Sequence, residues 1–283
     1  MKKTILNVIL YIAIYFALQV ATTIVVIIST AIYAAMTGGN IENSMQGGSS
    51  FGIASLFSNI IAVVLFVKMR WASLNLNAIP RRHLLSVLLG GAGLAFAQAV
   101  PVGWLAEILN VPDWLTDIFN MSMNDFWGII AICIGAPVAE ELIFRGAIQR
   151  TLHKKVGPIA AIVIAAAIFG VIHMNPVQVF GAFLMGLVLG WLYYRTGSVW
   201  PGIVFHAVNN TLSTILGQIF GVDAKLIDMT GSNTATTIAL IVSIAGFILL
   251  FTQLNGLFKF YRPTFWLEKE EKTDDIALQA TQE

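Results

Sequence analysis

The chain has 283 residues, of which 57% are hydrophobic and only 11% charged, with a formal net charge of +1. A typical soluble domain is about a quarter charged, and runs of about twenty apolar residues recur along this sequence, so it reads as an all-α polytopic membrane protein. The near-neutral balance points to no nucleic-acid partner, and a single cysteine, Cys133, excludes an internal disulfide and a thiol-based metal site.

The N-terminus, MKKTILNVILYIAIYFALQV, places Lys2 and Lys3 before an apolar run that continues to about Met36. That is far longer than a secretory h-region of about 7–15 residues, so it reads as a retained first helix. Polar punctuation divides the chain into eight expected spans, at roughly 5–36, 52–67, 84–106, 126–149, 158–175, 178–194, 201–220 and 235–258. The stretch 37–50, TGGNIENSMQGGSS, reads as a flexible loop by its Gly, Ser and Asn content. Residues 263–283, rich in Glu, Lys and Asp, read as a solvated cytoplasmic tail.

Charge sets the expected orientation. If eight spans alternate, Lys2, Lys3, Lys68, Arg70, Arg81, Arg82, Arg150, Lys154, Lys155, Arg195 and the basic residues of 259–272 share one side, with Lys225 alone opposite. Acidic residues such as Glu107, Asp113, Asp117 and Asp223 collect on the other side. The positive-inside rule then makes both termini cytoplasmic, in a plasma (inner) membrane. Trp71, Trp104, Trp127 and Trp200 near span ends read as interfacial anchors. Gly186 and Gly190 form a small-xxx-small pair suited to close helix packing.

Polar residues cluster between 137 and 210. The segment PVAEELIFRG brings Glu140, Glu141 and Arg145 into or beside a span, although an ionised side chain in hydrocarbon costs about 3 kcal/mol even on insertion scales. Residues four apart share a helical face while neighbours are turned by about 100°. Glu141 is therefore expected to pair with Arg145, leaving Glu140 for chemistry. In FGVIHMNP, Phe169 and His173 share a face; in HAVNNT, His206 and Asn210 do, with Asn209 turned away. His83 and His153, in basic segments, read as solvated surface. No H-E-x-x-H signature is present.

A carboxylate, two imidazoles and an amide within a bundle form a credible hydrolytic set. Glu140 suits a general base for water, and His and Asn donors suit an oxyanion. The alternative is a catalytic zinc bound by Glu140, His173 and His206. A transporter would line a path with intramembrane charges, but such proteins usually show repeats with corresponding broken segments, and the ionisable residues here lie in one half.

These motifs resemble those of the CAAX prenyl protease and bacteriocin-processing (CPBP, or Abi) family of intramembrane proteases. EELIFR is similar to its E-E-x-x-x-R motif, FGVIH to F-x-x-x-H, and HAVNN to H-x-x-x-N; the glycine-spaced segment before T-G-S is also similar. The resemblance covers about 126–215. It implies an eight-helix intramembrane fold with a catalytic core at 126–220, flanked by about three helices in 1–125 and a last one in 221–262. It further implies an endopeptidase acting through Glu140, His173, His206 and Asn210, with Glu141 and Arg145 as a structural pair. Both metal-dependent and metal-free mechanisms are attached to the family; Asn210 suits an oxyanion donor better than a zinc ligand, which favours no required cofactor. The substrates implied are membrane-associated proteins or peptides in the bilayer, among them prenylated proteins and pheromone or bacteriocin precursors; a non-proteolytic immunity or scaffolding role is the alternative. One tension remains. Straight spans put Glu140 and His206 near the cytoplasmic half but His173 nearer the other face, so a short or broken helix is expected, with Pro137, Pro158 and Pro176 as break points.

Overall fold

The computed structural model describes residues 2–38 and 49–260; the expected tail at 263–283 and most of the expected loop at 37–50 lie outside them. Ten helices are described in chain order: α1 (Lys2–Thr37), α2 (Ser49–Lys68), α3 (Arg81–Ile108), α4 (Thr116–Met123), α5 (Phe126–Val156), α6 (Pro158–Val171), α7 (Pro176–Thr196), α8 (Trp200–Phe220), α9 (Leu226–Thr230) and α10 (Asn233–Leu257). All eight expected spans are helical, and the short α4 and α9 are additions. No strand occurs among the described residues.

Six helices (α1, α2, α3, α5, α7 and α10) are long and apolar enough to cross a membrane, by length and composition. The other two expected spans fall short for different reasons. With 14 residues, α6 rises only about 21 Å, less than the hydrocarbon thickness of about 30 Å. Helix α8 has 21 residues, but His206, Asn209 and Asn210 lower its hydropathy. The chain is a multi-pass membrane protein in which three of the four expected site residues lie on or just after its two least membrane-like helices: His173 in the turn after α6, His206 and Asn210 on α8.

Helix α5 is the centre. Leu142, Ile143, Phe144, Ala147 and Ile148 are fully buried, with α1, α2, α6 and α7 packed around them and α8 against the preceding part of α5. Helices α1 and α10 are peripheral, and most of their apolar side chains face outward. Hydrocarbon suits such a surface, because a helix satisfies its own backbone.

Two stretches of α5 wind with π geometry, Ala131–Gly135 and Glu141–Gln149. The first follows from Pro137. Without an N–H, Pro137 cannot continue the helical ladder, and the Ala136 N–H reaches back to the Ala131 carbonyl, five residues away. Such widened turns are frequent at functional sites.

Helix α7 packs closely on α6 through the expected glycine pair. A Cβ built at Gly186 would lie 2.9 Å from the Cβ and 3.0 Å from the Cα of Ala166. At Gly190 it would meet Ile162 and the Gln149 carboxamide, each at 2.9 Å. Gly181, in the same helix, has open space around it. Overpacking costs typically about 1–3 kcal/mol, so Gly186→Ala is expected to lower the thermal midpoint of the purified protein in detergent, while Gly181→Ala does not. Equal midpoints for the two variants would contradict the packing assigned to Gly186.

Candidate active site

The spacing argument for the ion pair holds. Arg145 Nη1 donates to Glu141 Oε1 at 2.8 Å, and the two side chains are 1% and 0% exposed. The guanidinium also donates from Nη2 to the Gly186 carbonyl at 3.4 Å and lies 4.4 Å from the centroid of the Phe169 ring. A buried charge is tolerated only when paired and hydrogen-bonded, and this one is held by groups from α5, α6 and α7.

Glu141 does more than neutralise Arg145. Its Oε1 also lies 3.3 Å from His206 Nδ1. A carboxylate only accepts, so Nδ1 is the donor and, in the neutral ring, Nε2 keeps its lone pair. Oε2 of Glu141 presses on Gly202, where a Cβ would come within 2.6 Å. Glycine there lets α8 approach α5 closely enough for His206 to reach both glutamates.

Glu140 is turned away from the pair, as expected from the helical offset, and its side chain is 12% exposed. Its Oε2 lies 3.9 Å from His206 Nε2. Its Oε1 accepts from the Tyr15 hydroxyl at 3.4 Å. Among the described residues Glu140 thus makes no hydrogen bond or salt bridge on its own helix but meets one side chain from α8 and one from α1. The contact with α1 was not anticipated from sequence, where residues 1–125 supplied no site residue. The available signal was polar residues inside apolar spans: the Tyr15 hydroxyl also lies 3.2 Å from Asn59 Oδ1, and Gln19 Nε2 donates to the same oxygen at 3.4 Å.

His173 comes to the cluster because α6 is short. The helix ends at Val171, Met174 adopts a left-handed φ of 52°, and Pro176 opens α7. Fully buried Asn175 fixes this turn: its Oδ1 accepts from the Trp114 backbone N–H at 3.0 Å, and its Nδ2 donates to Asp113 at 2.9 Å. His173 Nδ1 donates to the Phe169 carbonyl at 2.7 Å, again leaving Nε2 with a lone pair. The Phe169 ring stands edge-on to both imidazoles, with centroids 5.0 Å from His173 and 5.8 Å from His206. Among the described residues, His173 meets the other site groups through this ring and makes no direct polar contact with Glu140.

Asn210, one turn beyond His206, donates through Nδ2 to the Ile132 carbonyl at 2.9 Å. In the widened turn that carbonyl would pair with residue 137, and Pro137 has no N–H to give. Asn210 therefore satisfies a backbone acceptor that the proline leaves unpaired, and it keeps its second amide proton.

Two histidines differ from expectation. His153 is 2% exposed rather than solvated: α5 continues seven residues past the expected end at 149, so its ring is stacked on Tyr194 and accepts from Gln149 Nε2 at 3.1 Å. His83 is half-buried in the first turn of α3. As for zinc, both site imidazoles present Nε2 as a potential ligand atom, but among the described residues no three His, Cys, Asp or Glu side chains converge as a metal site. The donor set as arranged does not fit a three-ligand zinc.

Comparison with known proteins bears on residues around this site. Residues 122–212 match the family model described as type II CAAX prenyl endopeptidase Rce1-like. A Bacillus subtilis (strain 168) protein named "Putative membrane peptidase YdiL" is 34% identical over 88 residues, which take in 31% of this chain and 36% of that protein. The aligned region thus spans about a third of the curated relative's length. No solved structure matches the chain. The resemblance read from EELIFR, FGVIH and HAVNN is borne out where those motifs lie, in a region similar to the CAAX prenyl endopeptidases.

Proposed function

We propose that the chain is an intramembrane endopeptidase that hydrolyses a peptide bond of a membrane-associated protein or peptide with water activated by Glu140. The observation that carries this reading is the division between two adjacent carboxylates. Glu141 is fully buried and salt-bridged to Arg145, whereas Glu140 makes no direct salt bridge to that guanidinium, is partly accessible and lies 3.9 Å from an imidazole. In the proposed step Glu140 takes a proton from water as the water oxygen attacks the scissile carbonyl carbon. The carbonyl π electrons pass to oxygen, Glu140 passes the proton on to the amide nitrogen, and the oxyanion electrons re-form the C=O bond as the C–N pair leaves with nitrogen, giving a carboxyl group and an amine. Asn210, through its second amide proton, is assigned to the oxyanion. His206 and His173 are assigned, through Nε2, to orienting water and carrying the proton. The reading needs no cofactor. It takes substrates within the bilayer, prenylated proteins and pheromone or bacteriocin precursors among them, and places the protein in a plasma membrane with both termini cytoplasmic.

The first test is Glu140→Ala, assayed on a peptide identified by mass spectrometry of membranes with and without the protein. Turnover is expected to vanish while the variant stays folded and monodisperse in detergent. Cleavage at the wild-type rate would overturn the general-base role.

The neighbouring carboxylate should behave differently. Removing one member of a buried pair costs about 3–5 kcal/mol, whereas replacing both by apolar groups is often close to neutral. Glu141→Gln is therefore expected to lower the thermal midpoint, and adding Arg145→Met to restore part of it. A double variant less stable than the sum of the two single losses would show that the pair is not coupled as its 2.8 Å geometry implies.

The metal question separates by chelation. Activity is expected to survive exhaustive dialysis against a chelator, with purified active protein holding well under one zinc per chain. Stoichiometric zinc lost together with turnover, and restored with it, would replace the metal-free mechanism by the zinc one.

A further inference from the structure

Helix α1 raises a physical question. It is an apolar, outward-facing helix, yet one stripe of it (Thr4, Val8, Tyr11 and Tyr15) is buried against the bundle. Burying a hydroxyl is costly unless it is hydrogen-bonded, and an apolar side chain would avoid that cost. The Tyr15 hydroxyl is instead placed between the Glu140 carboxylate, at 3.4 Å, and the Asn59 amide oxygen, at 3.2 Å.

We propose that Tyr15 is a positioning residue for Glu140: its hydroxyl anchors Oε1 from α1 so that Oε2 stays turned toward His206. This rests on the reading of Glu140 as the catalytic carboxylate. Three observations support it. A hydroxyl has one proton, and the Asn59 oxygen has a second donor in Gln19 Nε2 at 3.4 Å, so the Tyr15 proton is available to Glu140. Gln19 Oε1 in turn lies 2.8 Å from the Ser58 hydroxyl, whose proton has the Ser55 carbonyl at the same distance, and Asn59 is 1% exposed. The phenol therefore rests on a braced network shared by α1 and α2. Finally, the Glu140 carboxylate is flanked on its two oxygens by groups from different helices, Tyr15 and His206, with Glu141 and Arg145 as the charged groups next along α5. A side chain free to rotate at Glu140 would spend only part of its time in the orientation that faces His206. Tyr15 and Asn59 both lie outside the matched region 122–212.

The test is Tyr15→Phe, which keeps the ring and removes the hydroxyl, measured beside Tyr11→Phe and Glu140→Ala on the same cleaved peptide. Tyr15→Phe is expected to lower kcat about tenfold, the scale of one hydrogen bond to a charged group. KM and the thermal midpoint should stay at wild-type values. Tyr11, in the same buried stripe but packed against Phe66 and Trp71, should change neither kcat nor KM on conversion to Phe. An unchanged kcat in Tyr15→Phe with Glu140→Ala inactive would overturn the positioning role alone. A kcat that falls only in step with the thermal midpoint would assign Tyr15 to stability and likewise overturn it. Turnover retained by Glu140→Ala would overturn the catalytic reading and this proposal with it.

Discussion

A guanidinium and a carboxylate, both removed from solvent in the middle of an apolar bundle, set the terms for the surrounding helices. Arg145 and Glu141 cannot be exchanged or moved independently, because either charge left alone at that depth would destabilise the fold by several kcal/mol. Each neighbouring helix is shaped to them. Helix α7 gives the Gly186 carbonyl to Arg145, α6 lays the Phe169 ring beside the guanidinium, and α8 has glycine where Glu141 Oε2 presses against it. One turn further along α5 the arrangement recurs in neutral form, with Gln149 donating to the Gly190 carbonyl at 2.8 Å. A polar ladder on α5 thus faces a glycine ladder on α7.

The pair also determines what its neighbour can do. Adjacent residues on a helix point about 100° apart, so fixing Glu141 toward Arg145 fixes the direction of Glu140, toward α1 and α8. The same Glu141 oxygen that meets Arg145 holds His206 Nδ1 and thereby directs Nε2 at Glu140. The structural carboxylate and the proposed catalytic one are therefore linked through a single imidazole. Orientation of a histidine by a carboxylate on its far nitrogen is a widespread way of fixing a tautomer, and here it needs no additional element.

Much of this was legible from residue spacing. The i, i+4 relation of Glu141 to Arg145, the separate direction of Glu140, the glycine pair at 186 and 190, and the helical character of all eight apolar runs follow from helix geometry and hydropathy. The need for a short helix was also legible, because straight spans left His173 at the wrong level; the break falls at Val171–Pro176, where the turn is tied to the α3–α4 loop by Asn175. What could not be read depends on which distant segments meet. The approach of Tyr15 to Glu140 spans 125 residues and requires knowing that α1 lies against α2 and α5. His153 was misjudged because its basic neighbours suggested a surface, while the ring itself points inward from the last turns of α5. The π-wound turns left no pattern beyond Pro137.

Those irregular turns follow the logic of the bilayer. In hydrocarbon no water stands ready to satisfy a freed backbone group, so a departure from regular helix persists only where protein supplies the missing partner. Three irregular points near the site have one: Asn210 for the Ile132 carbonyl beside Pro137, His173 for the Phe169 carbonyl where α6 ends, and Asn175 for the turn that follows. Two of these three residues are the ones assigned to chemistry. The same polar side chains that make a π-wound and a shortened helix tolerable are thereby carried to the neighbourhood of Glu140. In this bundle the backbone departures and the polar residues of the candidate site are one feature, with Asn210 and His173 each giving one polar group to the backbone and keeping another that the backbone does not use.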